Sequence, residues 1–284
     1  MPRPRALFTS TALATCAVLA LAGPASADRE RRAWAHVEII AHRGASAHAP
    51  ENTLAAFRAA ARMGADLIEL DVRQTRDGHL VVVHDRTLTR TTDVKKRFPK
   101  LKPWRVGDLT LKQIKKLDAG SWFGRRHKGE RVPTLAEALR TVKAARLKAL
   151  VELKNPEEYP GITGRLLSHV ENDAYWTSYE RLTVQSFSWR YVRAVTEALP
   201  AVRGTVLGHP GTLELLGVRW YAGAVHPAKG NITPAYVRDA HLRWLDVYAY
   251  TVNDADTMVR LLEYGVDGIT TDRPDLLWEL RQED

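Results

Sequence analysis

The chain has 284 residues, 42 Lys and Arg against 33 Asp and Glu, and one cysteine, Cys16. A single cysteine excludes a disulfide framework and any metal site built from several thiolates. The formal charge of +9 is scattered, with short clusters at Lys95-Lys96-Arg97 and Arg125-Arg126 and no basic stripe interleaved with aromatics, so it reads as a solvated surface weakly attractive to anions and not as a nucleic-acid face.

Residues 1–27 read as an export signal. Arg3 and Arg5 supply a positive start, an apolar run from Ala6 to Ala22 follows, and Ala25-Ser26-Ala27 ends in an Ala-x-Ala cleavage pattern. The run is shorter than the about 20 residues of a comfortable membrane span, so stable membrane insertion is not expected. Cleavage would leave a secreted or periplasmic protein beginning at Asp28 and would remove Cys16 with the signal. The remaining 28–284 suits one barrel domain of about 250 residues, stabilised by its core alone.

Past residue 35, short apolar runs alternate with amphipathic stretches, the βαβ pattern of a parallel sheet. The runs are Val37–Ala41, Leu67–Val72, Leu80–Val83, Ala149–Leu153, Leu182–Ser186, Thr205–Leu207, Ala222–Val225, Leu245–Tyr250 and Gly268–Thr271. Helical periodicity is evident over Thr53–Met63, Thr134–Ala145 and Ala255–Tyr264. Nine strands are one too many for an eight-stranded barrel. The link Arg73–His79 is too short for a parallel crossover, which needs a dozen residues or more, and it contains Asp77-Gly78, a two-residue hairpin signal. With those as the turn residues, Asp71 would pair opposite His84. The segment Arg86–Val132, basic and with one short helical stretch near Leu111–Leu117, reads as an insertion over one end of the barrel, in the manner of a lid.

Four strand ends carry polar side chains. Ile40-Ala41 runs into His42-Arg43-Gly44; Glu69 and Asp71 lie two apart on an apolar strand and so face one side; Val81-Val82-Val83 runs into His84-Asp85; and Glu152 and Lys154 repeat the two-apart spacing. Strand C-terminal ends form the active-site face of a barrel. Carboxylates among apolar neighbours are costly to bury unless they share a cation, and hard divalent ions take oxygen ligands. Arg43 and Lys154 suit phosphate, and His42 and His84 suit proton transfer near neutrality. Together the set matches the needs of metal-assisted phosphodiester hydrolysis.

These elements resemble the glycerophosphodiester phosphodiesterase family. The shared pieces are His42-Arg43-Gly44 with Pro50-Glu51-Asn52-Thr53, Glu69-Leu70-Asp71, His84-Asp85, Leu117–Phe123, Val132-Pro133-Thr134-Leu135, Glu152-Leu153-Lys154, Ser186-Phe187, and Gly265–Ile269 with Thr271-Asp272. They follow the family's order over residues 38–274. The resemblance implies a distorted (β/α)8 TIM barrel with a small insertion after the third strand, and one divalent ion, Ca²⁺ or Mg²⁺. It assigns Glu69, Asp71 and Glu152 to the metal, His42 and His84 to acid–base catalysis, and Arg43 and Lys154 to the phosphate. Glu51, Asn52, Trp122, Phe187 and Tyr250 are assigned to the pocket. The implied reaction releases sn-glycerol 3-phosphate and an alcohol from a small glycerophosphodiester, with the glycerol hydroxyl as first nucleophile and a cyclic phosphate then opened by water. One departure is Tyr250-Thr251-Val252-Asn253 where the family usually has Trp-Thr-Val-Asn. Two rivals share parts of this pattern. Lysophospholipase D or sphingomyelinase D-like enzymes use two histidines and a metal on the same barrel but lack the insertion. A non-catalytic binding barrel has no need of paired histidines.

Overall fold

In the computed structural model, which describes residues 34–178 and 180–282, a run of buried parallel strands closes on itself. Strands β1 (Glu38–Ala41), β2 (Leu67–Gln74), β4 (Lys148–Leu153), β5 (Leu182–Ser186), β6 (Arg203–Leu207), β7 (Ala224–His226), β8 (Asp246–Ala249) and β9 (Gly268–Thr271) pair in parallel. β1 pairs with both β9 and β2, which closes a barrel of eight parallel strands. The export signal expected over residues 1–27 lies outside the described residues.

Helices cover the barrel because their apolar faces have nowhere else to go. α1 (Leu54–Arg62) is capped by Thr53, whose hydroxyl accepts from the Ala56 amide, and it buries Ala56, Phe57, Ala59 and Ala60. Later helices over Leu135–Ala144 and Ala255–Tyr264 start at Thr134, with a Thr134–Glu137 capping box, and at Asp254. Such caps satisfy amides that a helix start leaves unpaired. Outward strand residues such as Ile39, Ala41, Ile68 and Leu70 join the helices in one large core. A separate cluster of Ile40, Leu67, Leu150, Ala224 and Tyr248 fills the barrel's interior below the polar end.

The ninth strand, β3 (Leu80–Val82), runs antiparallel to the last residues of β2, beyond the point where β1 stops pairing with it. The register is Val72 with Val82 and Gln74 with Leu80, and the Val83 amide donates to Asp71 O at 2.9 Å. Asp71 therefore stands opposite Val83, one residue away from the expected His84. The cause is the turn. Thr75 N donates to His79 O, and Gly78 has φ +82, so Arg76, Asp77 and Gly78 form a three-residue loop with glycine in the left-handed position. The extra residue shifts the register by one, and His84 lies just past the strand at the barrel rim.

Residues 86–132 pack as a small layer of their own. Leu88, Val94, Val106, Leu109, Ile114, Leu117, Ala119 and Val132 form a second core with Val81 and Val83 of the hairpin. Its helices are short, Val94–Arg97 and Leu111–Ile114, the latter opened by a Thr110–Gln113 capping box and ending before the expected Leu117. The insertion is thus bolted to the hairpin that ends in His84.

Candidate active site

β1 ends in a tight turn. Gly44 has φ +83, and a Cβ there would sit 2.7 Å from the Ala56 backbone, so only glycine fits. Arg43 before it also takes a left-handed φ of 56°, a conformation that costs a non-glycine residue of order 1–3 kcal/mol and concentrates at functional sites. This turn aims the Arg43 amide at Glu69 Oε2, 2.8 Å away, and sends the guanidinium to Glu51 Oε1 at 2.9 Å and Asp71 Oδ2 at 3.2 Å.

The three carboxylates converge as expected. Asp71 on β2 lies beside Glu152 on β4 in the parallel register, and one oxygen each from Glu69, Asp71 and Glu152 lie within 4.8 Å of one another, all three residues buried. Asn52, itself left-handed at φ 56°, donates from Nδ2 to Asp71 Oδ2 at 2.7 Å. Burial, with the Asp71 and Glu152 charges added, drives the Glu69 carboxyl well above its ordinary range. Burial and Asp71 push Glu152 up to about 7, against the pull of Lys154. Burial also works against Asp71, but Arg43, Lys154 and His84 hold it below the usual carboxylate range. Close-set buried carboxylates that resist ionisation together fit a divalent cation, which would let all three carry charge.

Each histidine is anchored by a carboxylate. His42 Nδ1 lies 2.6 Å from Asp272 Oδ1, and His84 Nδ1 lies 2.8 Å from Asp85 Oδ1. A carboxylate partner keeps the proton on Nδ1 and leaves Nε2 for the substrate. Although burial opposes it, the bonds from His42, Ser46 and Asn253 lower Asp272 to about 2. Burial lowers His84, helped by the Arg43 and Lys154 charges. Lys154 Nζ sits 2.7 Å from Glu152 Oε1 and 3.6 Å from Asp71 Oδ1, and those carboxylates hold it charged against the cost of burial.

A cavity of about 270 Å³ opens onto these groups, and His42, Arg43, Glu69, His84, Glu152 and Lys154 all line it. Of the residues expected in the pocket, Phe187 and Tyr250 form its aromatic wall, edge to face at 6.4 Å. Burial raises the Tyr250 phenol, so it is a neutral hydroxyl where the family usually has an indole. Glu51 and Asn52 do not line the cavity and serve instead as partners of Arg43 and Asp71. Trp122 is elsewhere: it belongs to the insertion, donates to Ala119 O and packs edge-on against Phe123, half exposed.

Several lining or supporting residues escaped the sequence reading. His226 and Gln185 lie in the barrel mouth with Thr270. An apolar run ending in a histidine, the signal that marked His42 and His84, was present at Ala224-Val225-His226 too. Asp272 stood in a recognised motif, but its pairing with His42 spans 230 residues and depends on barrel closure.

Residues 42–276 match the model of the glycerophosphoryl diester phosphodiesterase family. A glycerophosphodiester phosphodiesterase of Caldanaerobacter subterraneus subsp. tengcongensis is 39% identical over 245 residues, which is 85% of this chain and 96% of that protein. One of Bacillus subtilis is 34% identical over 261 residues, covering 86% of each. Among solved structures, an Oleispira antarctica phosphodiesterase in complex with the product sn-glycerol-3-phosphate superposes with a TM-score of 0.76 at 27% identity, covering 87% of this chain and 98% of that one. A glycerophosphodiester phosphodiesterase of Agrobacterium tumefaciens gives 0.66 at 30% identity, covering 85% and 99%.

Proposed function

The chain belongs to the glycerophosphoryl diester phosphodiesterase family and is a phosphoric diester hydrolase, and from that premise we propose that it cleaves glycerophosphodiesters to sn-glycerol 3-phosphate and an alcohol by metal-assisted histidine acid–base catalysis. The observation that carries this reading is the convergence on one cavity of two Nδ1-anchored histidines, two cations and a cluster of three buried carboxylates, of which Glu69 and Glu152 line it. The product held by the Oleispira relative agrees with it.

Glu69, Asp71 and Glu152 would hold the divalent ion, Ca²⁺ or Mg²⁺ by their oxygen-only chemistry. When bound, it withdraws charge from a phosphate oxygen. Arg43 and Lys154 face the same phosphate, and their carboxylate partners keep them charged and in place. One histidine takes the proton of the neighbouring glycerol hydroxyl through Nε2 as that oxygen bonds to phosphorus. The other gives its proton to the alkoxide whose P–O bond breaks. The histidines then hold each other's starting state. The newly neutral one deprotonates the water that opens the cyclic phosphate, the protonated one returns its proton to the glycerol oxygen, and both are restored.

We place this activity outside the cytoplasm, on the strength of the export signal at residues 1–27. No helix among the described residues is long and apolar enough to cross a membrane. The test is a panel of glycerophosphodiesters and lysolipids assayed with Ca²⁺, Mg²⁺ and EDTA. Release of glycerol 3-phosphate that EDTA stops and either cation restores is the expected result. Turnover of lysolipids alone, or activity indifferent to EDTA, would overturn it.

A further inference from the structure

The cavity has two halves. Its charged residues, His42, Arg43, Glu69, His84, Glu152 and Lys154, come from β1, β2, β4 and the hairpin, whereas the groups supplied by β5 to β9 and the turns after them are uncharged. Within the uncharged half, His226 and Gln185 are 1% and 2% exposed. His226 Nδ1 lies 2.8 Å from Gln185 Oε1, and its Nε2 lies 3.0 Å from Thr270 Oγ1. An amide oxygen only accepts, so Nδ1 carries the proton and Nε2 accepts from the Thr270 hydroxyl. Burial, with the nearby His42 charge, lowers His226 to about 3, so it stays the neutral ring that this pattern needs. In this arrangement Gln185 has its Oε1 taken. Its Nε2 makes no hydrogen bond among the described residues, and the side chain lines the cavity.

We propose that Gln185, oriented by His226, binds the glycerol part of the substrate by donating a hydrogen bond to the hydroxyl that does not react. The proposal deepens the function given above and rests on it. Chemistry selects this partner. The phosphate already has Arg43 and Lys154 in the charged half to meet it, together with the ion that the carboxylates there would hold, whereas a neutral amide beside a neutral imidazole suits a neutral hydroxyl. A donor left unpaired in a buried site also discriminates strongly against a substrate lacking its acceptor. Gln185 is then a substrate-binding residue and His226 a positioning residue that acts through it.

The experiment compares two substrates on wild type, Gln185→Met, His226→Phe and the double variant. They are a glycerophosphodiester and its propane-1,2-diol analogue, which keeps the reacting hydroxyl and lacks the terminal one. On the glycerophosphodiester, each single variant should lose about tenfold or more in kcat/KM, the double variant no more than the worse single, and wild type should lose a similar factor on the propanediol analogue. On the propanediol analogue, where the bonded hydroxyl is missing from every complex, all four proteins should match. Equal losses on both substrates would mean that the pair serves phosphate or the fold and would overturn the proposal. So would additive losses, or no loss at all. The comparison of wild type on the two glycerol-type substrates needs no variant to fold, and equal rates there overturn the proposal by themselves. If wild type cleaved no glycerophosphodiester, the proposed function would fail first and separately.

Discussion

Arg90 of the insertion grips Glu51 through both terminal nitrogens, at 2.6 and 2.8 Å. The same guanidinium binds Asp85 through Nε at 2.7 Å and Nη2 at 2.9 Å. Glu51 is the partner of Arg43 and Asp85 the partner of His84, so one side chain ties the insertion to two groups at the catalytic mouth.

The first prediction concerns that tie. Arg90 is 44% exposed at its side chain, so the charge attraction alone counts for little. Its geometry matters more, because it sets where two carboxylates stand. Arg90→Ala should lower kcat/KM by about tenfold with little change in melting temperature, and Arg90→Lys should restore only part, since an ammonium cannot make the paired contacts of a guanidinium. Steady-state kinetics on both variants check it. Wild-type rates from Arg90→Ala would show that Asp85 and Glu51 hold their places unaided.

The second prediction is that the carboxylate cluster has a pH signature. Glu152 is raised to about 7, and Glu69 is raised well above its ordinary value, both first by burial. A carboxyl raised in the folded state binds more protons there than when unfolded. Its contribution to stability is whole below the unfolded value near 4.5 and is lost as pH rises through about 7. Metal-free protein should therefore melt at lower temperature at pH 8 than at pH 5.5. Added Ca²⁺ or Mg²⁺ should raise the melting temperature most at pH 8, because the cation replaces the protons. Thermal melts of EDTA-treated protein across this range test the sign. Glu69→Gln should remove the cation's effect and abolish turnover.

Much of this site was legible because its residues announce themselves locally. Glu69 and Asp71 are two apart on an apolar strand, and so are Glu152 and Lys154; the pleat alone puts each pair on one side. The barrel followed from alternation and from one link too short to cross over. What stayed hidden depends on backbone detail or on distance. The left-handed turns at Arg43 and Asn52 leave no trace in composition. Gly78 closes a three-residue loop, which composition cannot separate from a two-residue one, and Asp71 moved one place in register as a result. The bond from His42 to Asp272 joins strands that meet only when the barrel closes, and the bond from His226 to Gln185 reaches across β6 between residues 41 apart in the chain.

The third prediction concerns export. Arg3, Arg5, the Ala6–Ala22 run and Ala25-Ser26-Ala27 lead to cleavage after Ala27. N-terminal sequencing of protein from the culture medium should read Asp28 first. A product that begins at Met1 and stays with the membrane would refute this.

The last prediction separates the two histidines. Both line the cavity and both are held at Nδ1, His42 by Asp272 and His84 by Asp85, which leaves Nε2 for the substrate. General acid–base help is worth about 10²–10⁴-fold per group, so His42→Ala and His84→Ala should each lose at least that much on a glycerophosphodiester with an alkyl leaving group. A p-nitrophenyl ester of glycerol phosphate changes the requirement. Its leaving oxygen departs as a stable anion and needs no proton, so loss of the acid matters little, while the attacking hydroxyl must still give up its proton to the base. One variant should therefore recover most of its rate on the activated ester and the other should remain slow. The recovered variant identifies the acid for bond cleavage. Its carboxylate partner, changed to asparagine, should show the same substrate dependence in weaker form, because the amide no longer fixes the ring. Modest and equal losses for both variants on both substrates would sink the paired mechanism and leave the histidines as phosphate-positioning groups.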